Sequence, residues 1–258
     1  MNATVARYLR EGRGQGEGST YRPWIQVNDF PSMGRVSRVL GVKTKRIHHL
    51  LSDNQYRAFL IFEWNSHVVD IRESYPLLDV RDVVDNIDDL RFDRFVDKAS
   101  GEPAILTTSF LLTRLDAAGK EQLIARSVKN SSELRKKIAW EKLEIERRYW
   151  QAKSIEWKVI TDRQLPKAQA DGIAWARETL LQAQPGVDRD VLAPELVHEL
   201  FAHREWTVRR VLNLFEKQQG LDPGTGLYLW RYLIATKSIQ VNLASVTKLS
   251  ETVEIILR

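Results

Sequence analysis

The chain has 258 residues, 43% hydrophobic and 28% charged, with eight Trp, which allows one large domain or two modest ones around a real core. Its net charge of +5 permits a nucleic-acid partner without demanding one. The absence of Cys excludes disulfides and thiolate zinc sites. No apolar run approaches the roughly 18 residues of a membrane span, and the N-terminus lacks a signal-peptide pattern, so a cytoplasmic protein is expected.

Residues 1–20 read as a flexible basic arm, in which Gly12, Gly14, Gly16 and Gly18 alternate with Arg13, Gln15 and Glu17. No strand precedes these glycines and no apolar helix follows, which argues against a dinucleotide loop and for a backbone lying close to DNA or a partner. Cations outnumber acids from Arg7 to Arg46. Arg10, Arg13, Arg35, Arg38, Lys45 and Arg46 are therefore candidate phosphate contacts, the alternative being a solvated basic surface. Ser52 with Gln55 is a capping-box pattern and predicts a helix over 53–64. Tyr56, Phe59, Leu60 and Glu63 share one stripe of it, so Glu63 is either a carboxylate held in a site or a helix-end residue reaching water.

A strand is expected to end near Glu73, followed by an acidic, solvated insertion over 79–102 with a short helix. Residues 105–115 and 121–129 form a hairpin about a turn at 116–120. If the turn centres on Ala118, Ser109 lies opposite Ser127 with Lys129 diagonal to it. A long helix over 132–152 and a short strand over 157–161 follow. From Pro166 onward helices dominate (168–183, 191–203, 208–219, 226–237), and two strand-like runs, 239–243 and 253–257, close the chain. Helices followed by a ribbon suggest a winged helix. The expected organisation is an arm (1–20), an α/β nuclease-like domain (21–165) and a winged-helix-like domain (166–258). The five His lack metal-site spacing, His48 and His49 being adjacent and His198 and His203 five apart.

The order helix Glu63, strand position 109, then Ser127-Val128-Lys129 resembles the restriction-endonuclease-like core. There a helix glutamate, a strand aspartate and a lysine surround Mg²⁺ or Mn²⁺. Longer fragments resemble the TnsA-type endonuclease family: Arg10-Glu11-Gly12-Arg13-Gly14-Gln15-Gly16, Arg46-Ile47-His48-His49-Leu50-Leu51-Ser52-Asp53, Phe62-Glu63-Trp64, Val69-Asp70-Ile71-Arg72-Glu73, and Glu141 through Trp150. The C-terminal part matches in architecture only.

The resemblance implies a subunit that hydrolyses the non-transferred strands at transposon ends. Its partners would be a TnsB-type transposase, a TnsC-type ATPase regulator and the transposon-end DNA. It also implies Glu63 and Lys129 as catalytic residues, the Val128 carbonyl as a metal ligand, and Glu146 and Ser127 as further candidates near the site. At the family aspartate this chain has Ser109, a neutral hydroxyl in place of an anionic ligand, and Asp116 is of opposite strand parity. Cleavage is therefore expected to be weakened. A non-cleaving scaffold subunit is the alternative, and a stand-alone nuclease a third reading.

Overall fold

The computed structural model describes residues 3–29, 35–97 and 101–257. They divide into two compact units, Met1–Leu165 and Pro166–Arg258.

The first unit opens with α1 (Ala3–Arg10) and a coil. Gly12, Gly14, Gly16 and Gly18 all have positive φ there. At Gly14 (φ +76°) the requirement is steric as well, because a Cβ would collide with the Pro76 ring. The Gly14 N–H donates to the Arg22 carbonyl at 2.6 Å. The expected flexible arm is instead an ordered coil seated on the domain.

A hairpin follows, β1 (Ser37–Leu40) paired antiparallel with β2 (Ile47–Leu50). Next comes α2 (Asp53–Trp64), with the bounds that the capping pattern predicts. The Ser52 hydroxyl accepts from the Gln55 N–H at 3.2 Å, and the Gln55 side chain accepts from the Leu51 N–H at 2.8 Å.

The sheet runs β3-β4-β5-β6, from β3 (Val68–Pro76), β4 (Thr107–Leu115), β5 (Glu121–Lys129) and β6 (Glu156–Thr161). The first two pairings are antiparallel. β6 returns parallel to β5 after the crossover helix α4 (Lys137–Ala152). Leu111 and Ala125 pack with Ile145, Tyr149 and Trp150 of α4. Phe110, one residue from Leu111 and so on the opposite face, meets Phe62 of α2 with ring centroids 5.4 Å apart. The sheet is thus covered on both sides.

The acidic segment holds the short α3 (Val80–Val83) but is not merely solvated: Val80, Val84 and Leu90 enter the α4 core, and Asp79 accepts from the Tyr149 hydroxyl at 2.7 Å. Residues 98–100 of that segment lie outside the described residues.

The second unit contains α5 (Lys167–Leu181), α6 (Arg189–Ala202), α7 (Val208–Gln219) and α8 (Thr225–Ala235). Among the described residues the expected terminal ribbon is reduced to one bridge. Val241 and Leu257 share a single antiparallel bridge, and Val253–Ile256 is a helical turn, α9. Val253 and Ile256, three apart, are both fully buried, which is helical spacing rather than strand alternation. The expected strands at 239–243 and 253–257 are corrected accordingly.

Candidate functional site

In the β4–β5 ladder Phe110 stands opposite Arg126 and Leu111 opposite Ala125; one step further sets Ser109 against Ser127, as expected. There the Ser109 hydroxyl takes over from the ladder. It accepts from the Val128 N–H at 2.9 Å and lies 3.5 Å from the Val128 carbonyl oxygen. Ser109 is thus engaged with the same backbone whose carbonyl was expected to face a metal.

Glu146 reaches this end of the sheet from α4 and is 1% exposed. Its Oε2 accepts from Thr108 Oγ1 at 2.9 Å and also from Ser127 Oγ, while Oε1 lies 3.3 Å from Lys142 Nζ. Two indoles complete the set: Trp150 Nε1 donates to Thr108 at 2.8 Å and Trp157 Nε1 to Ser127 at 2.9 Å. Both Glu146 oxygens are therefore committed within the protein.

Lys129 ends β5 half-buried, and among the described residues its side chain forms no hydrogen bond or ion pair. Burial holds its pKa below the ordinary 10.5 and the Lys142 charge adds to this, against the opposing pull of Glu146 and Glu133. Val128 and Lys129 line a cleft of about 550 Å³ whose other wall is the first turn of α2: Ser52, Asp53, Asn54 and Arg57. Arg35 also lines it, 3.8 Å from Asp53. Two further acids at the cleft have local partners: Asp162 accepts from the Ser131 N–H at 2.6 Å, and Glu133 from the Asn130 N–H at 2.9 Å.

Glu63 does not line this cleft. It follows Asp53 by ten positions on α2, about 15 Å at 1.5 Å per residue. It is 8% exposed, and its Oε1 accepts from the Val42 N–H at 2.6 Å. Of the expected cluster, Ser109 accepts from the Val128 N–H, next to Lys129, and Glu146 accepts from Ser127 on the same strand. Through the Val42 N–H, Glu63 braces the β1–β2 connection.

The candidate phosphate contacts divide as sharply. Arg10, Arg35, Arg38 and Lys45 are exposed. Arg13 and Arg46 are 6% and 8% exposed and already paired. Arg13 donates to Asp29 at 2.6 and 3.0 Å, and Arg46 to Glu73 at 2.8 and 2.6 Å. These two hold the fold and are corrected as DNA contacts. Arg57 and Asn54, which do line the cleft, carried no sequence signal beyond their place after the cap.

Magnesium takes hard oxygen ligands, usually one or two carboxylates with waters and phosphate oxygens. Ser109 is neutral, both Glu146 oxygens are taken, and Glu63 Oε1 already accepts from the Val42 N–H. Among the described residues no three His, Cys, Asp or Glu side chains gather as a metal site. The residues present do not fit the metal centre that the nuclease core implies.

The mixed sheet covered by α2 and α4, with a desolvated lysine at the end of β5, defines a restriction-endonuclease-like core. The family described as TnsA-like endonuclease N terminal matches residues 65–162, and TnsA endonuclease C terminal matches 164–243. The chain is 34% identical over 247 residues to the transposon Tn7 transposition protein TnsA of Escherichia coli, a match covering 93% of this chain and 85% of that protein. The chain belongs to the TnsA endonuclease family and is a homologue of that transposition protein. Among the described residues no helix is long and apolar enough to cross a membrane.

Proposed function

We propose that this chain is the TnsA-type subunit of a heteromeric transposase acting in the cytoplasm. It holds transposon-end DNA in the Lys129 cleft, beside a TnsB-type transposase and a TnsC-type ATPase regulator, without hydrolysing the strand at the rate of a metal nuclease. The observation that carries this reading is the satisfied state of the would-be metal site: Ser109 is engaged by Val128, and Glu146 by Thr108, Ser127 and Lys142. Holding DNA is supported by Lys129, Arg57 and Arg35 around one cleft. A lysine short of counter-charge favours a phosphate.

The test is cleavage of labelled transposon ends with a TnsB-type transposase and Mg²⁺ or Mn²⁺. The expected products are ends bound and transferred strands joined by the partner, with the non-transferred strands intact, giving copied, cointegrate-like molecules. Ser109→Asp is expected to leave those strands uncut, because the Glu146 oxygens and Glu63 Oε1 already have protein partners. Efficient cleavage of the non-transferred strand by the unaltered chain would overturn the reading.

A further inference from the structure

The segment leading from β5 into α4 leaves the cleft with cations and large apolar side chains in the open. Arg135, Lys136 and Lys137 are exposed, and among the described residues none of them forms a side-chain hydrogen bond or ion pair. Trp140 is 56% exposed. It follows Lys137 by three positions on α4, so those two side chains share a face of the helix start, with Lys136 as the residue capping it.

The indole is not loose. Its Nε1 donates to the Leu134 carbonyl at 2.5 Å, which ties it beside Glu133, a residue of the Lys129 cleft. Its polar edge is thereby satisfied inside the protein while its ring remains in water. Such a fixed aromatic face loses little side-chain entropy on contact with a flat ligand.

Duplex DNA offers phosphates to this surface but keeps its bases stacked inside. An unpaired strand offers both phosphates for the cations and base faces for the indole. We propose that Trp140, with Arg135, Lys136 and Lys137, is a stacking platform for unpaired nucleotides of the DNA strand that leaves the Lys129 cleft. This rests on the reading of that cleft as a DNA site.

The experiment uses the full chain and two labelled DNAs: a blunt transposon-end duplex, and the same duplex with a short unpaired extension. The unaltered chain is expected to bind the extended DNA about tenfold more tightly, in line with stacking on a single aromatic residue. Trp140→Ala is expected to lose that preference while binding the blunt duplex as before, with an unchanged thermal midpoint. Trp140→Phe should keep most of it. Phe also lacks the bond to Leu134, so a disturbed loop would make the two variants behave alike, which would overturn the platform.

No preference in the unaltered chain, or a preference kept by Trp140→Ala, would also overturn it while leaving the cleft reading intact. Trp140→Ala that weakens association with the partner transposase and spares both DNAs would mark the patch as a protein contact, against the proposal. Failure of the unaltered chain to bind even the blunt duplex at low salt would remove the cleft reading, and the platform with it.

Discussion

Two polar clusters of the first unit, one around Glu73 and one around Lys129, differ in how their charges are answered. Glu73 is fully buried and accepts from both terminal nitrogens of Arg46, from His48 Nδ1 at 2.7 Å and from the His49 N–H at 3.0 Å. Burial alone would raise its pKa, yet His48 and Arg46 pull it down to about 2. Arg46 is itself completed by the Ile71 carbonyl at 2.7 Å, and the Tyr21 hydroxyl donates to the Glu73 carbonyl at 3.0 Å. The N-terminal coil, β2 and β3 are tied together there. Lys129 is the reverse case, a cation partly withdrawn from water that forms no ion pair among the described residues. A charge answered on every side holds a fold, whereas one left unanswered beside a cleft is suited to an incoming anion.

The largest effect expected from breaking this contrast is at Glu73. Glu73→Ala leaves Arg46 and His48 buried without their carboxylate, and removing one partner of a buried pair costs about 4 kcal/mol. Denaturant unfolding at neutral pH measures it, and a loss below about 1 kcal/mol would show that Glu73 is no lock. The pH dependence has a definite sign. The folded pKa lies below the ordinary 4.5, so the contribution is complete above 4.5 and is lost as pH falls toward about 2. Glu73→Gln should remove that part of the acid-side slope.

At Lys129 the expected change is smaller and falls on binding. Lys129→Ala should weaken DNA about tenfold and reduce the salt dependence by about one counter-ion, since one phosphate contact is removed. Stability should behave differently from the Glu73 case. A lysine whose folded pKa is lowered costs stability while protonated, so stability rises as pH climbs from that lowered value toward 10.5. Lys129→Ala should abolish this rise without destabilising the protein at neutral pH. Equal DNA affinity for Lys129→Ala and the unaltered chain, measured at two salt concentrations, would place the phosphate elsewhere.

What could be read from the sequence follows the range of the forces involved. The Ser52 cap and its Gln55 fix the start of α2 through contacts within four residues, and the same element appears with its expected bounds. The β4–β5 hairpin is equally local, so the placing of Ser109 against Ser127 follows from the turn alone. Counting cations along the chain could not separate Arg46 from Arg38, because the partner of Arg46 is 27 residues away on β3. Arg13 was hidden in the same way, its partner Asp29 lying 16 residues on. The stripe on α2 left Glu63 open between a held carboxylate and a helix end in water; it is buried, and periodicity gives a face and not a position along the axis. The end of α2 that meets β5 is set by tertiary packing. The terminal ribbon failed for a related reason: short apolar runs do not separate a strand from a helical turn.

Glu63 gives the finest test of the contrast, because the family resemblance and the structure assign it different work. In a metal site, loss of its charge would abolish cation binding and alter the grip on DNA. At the Val42 N–H, the charge acts through the strength of a hydrogen bond. Glu63→Gln keeps a carbonyl oxygen in place, so a charged acceptor is exchanged for a neutral one, a difference of about 1 kcal/mol. Thermal or denaturant unfolding should record that small loss. Affinity for the blunt transposon-end duplex should stay within twofold of the parent, in the absence and in the presence of Mn²⁺. Glu63→Ala, which removes the acceptor outright, should cost more stability than Glu63→Gln and still leave DNA affinity unchanged. If Glu63→Gln kept full stability but lost Mn²⁺-dependent DNA binding, the carboxylate would belong to the Lys129 cleft, and the division between structural and DNA-holding charges drawn here would fail at its closest point.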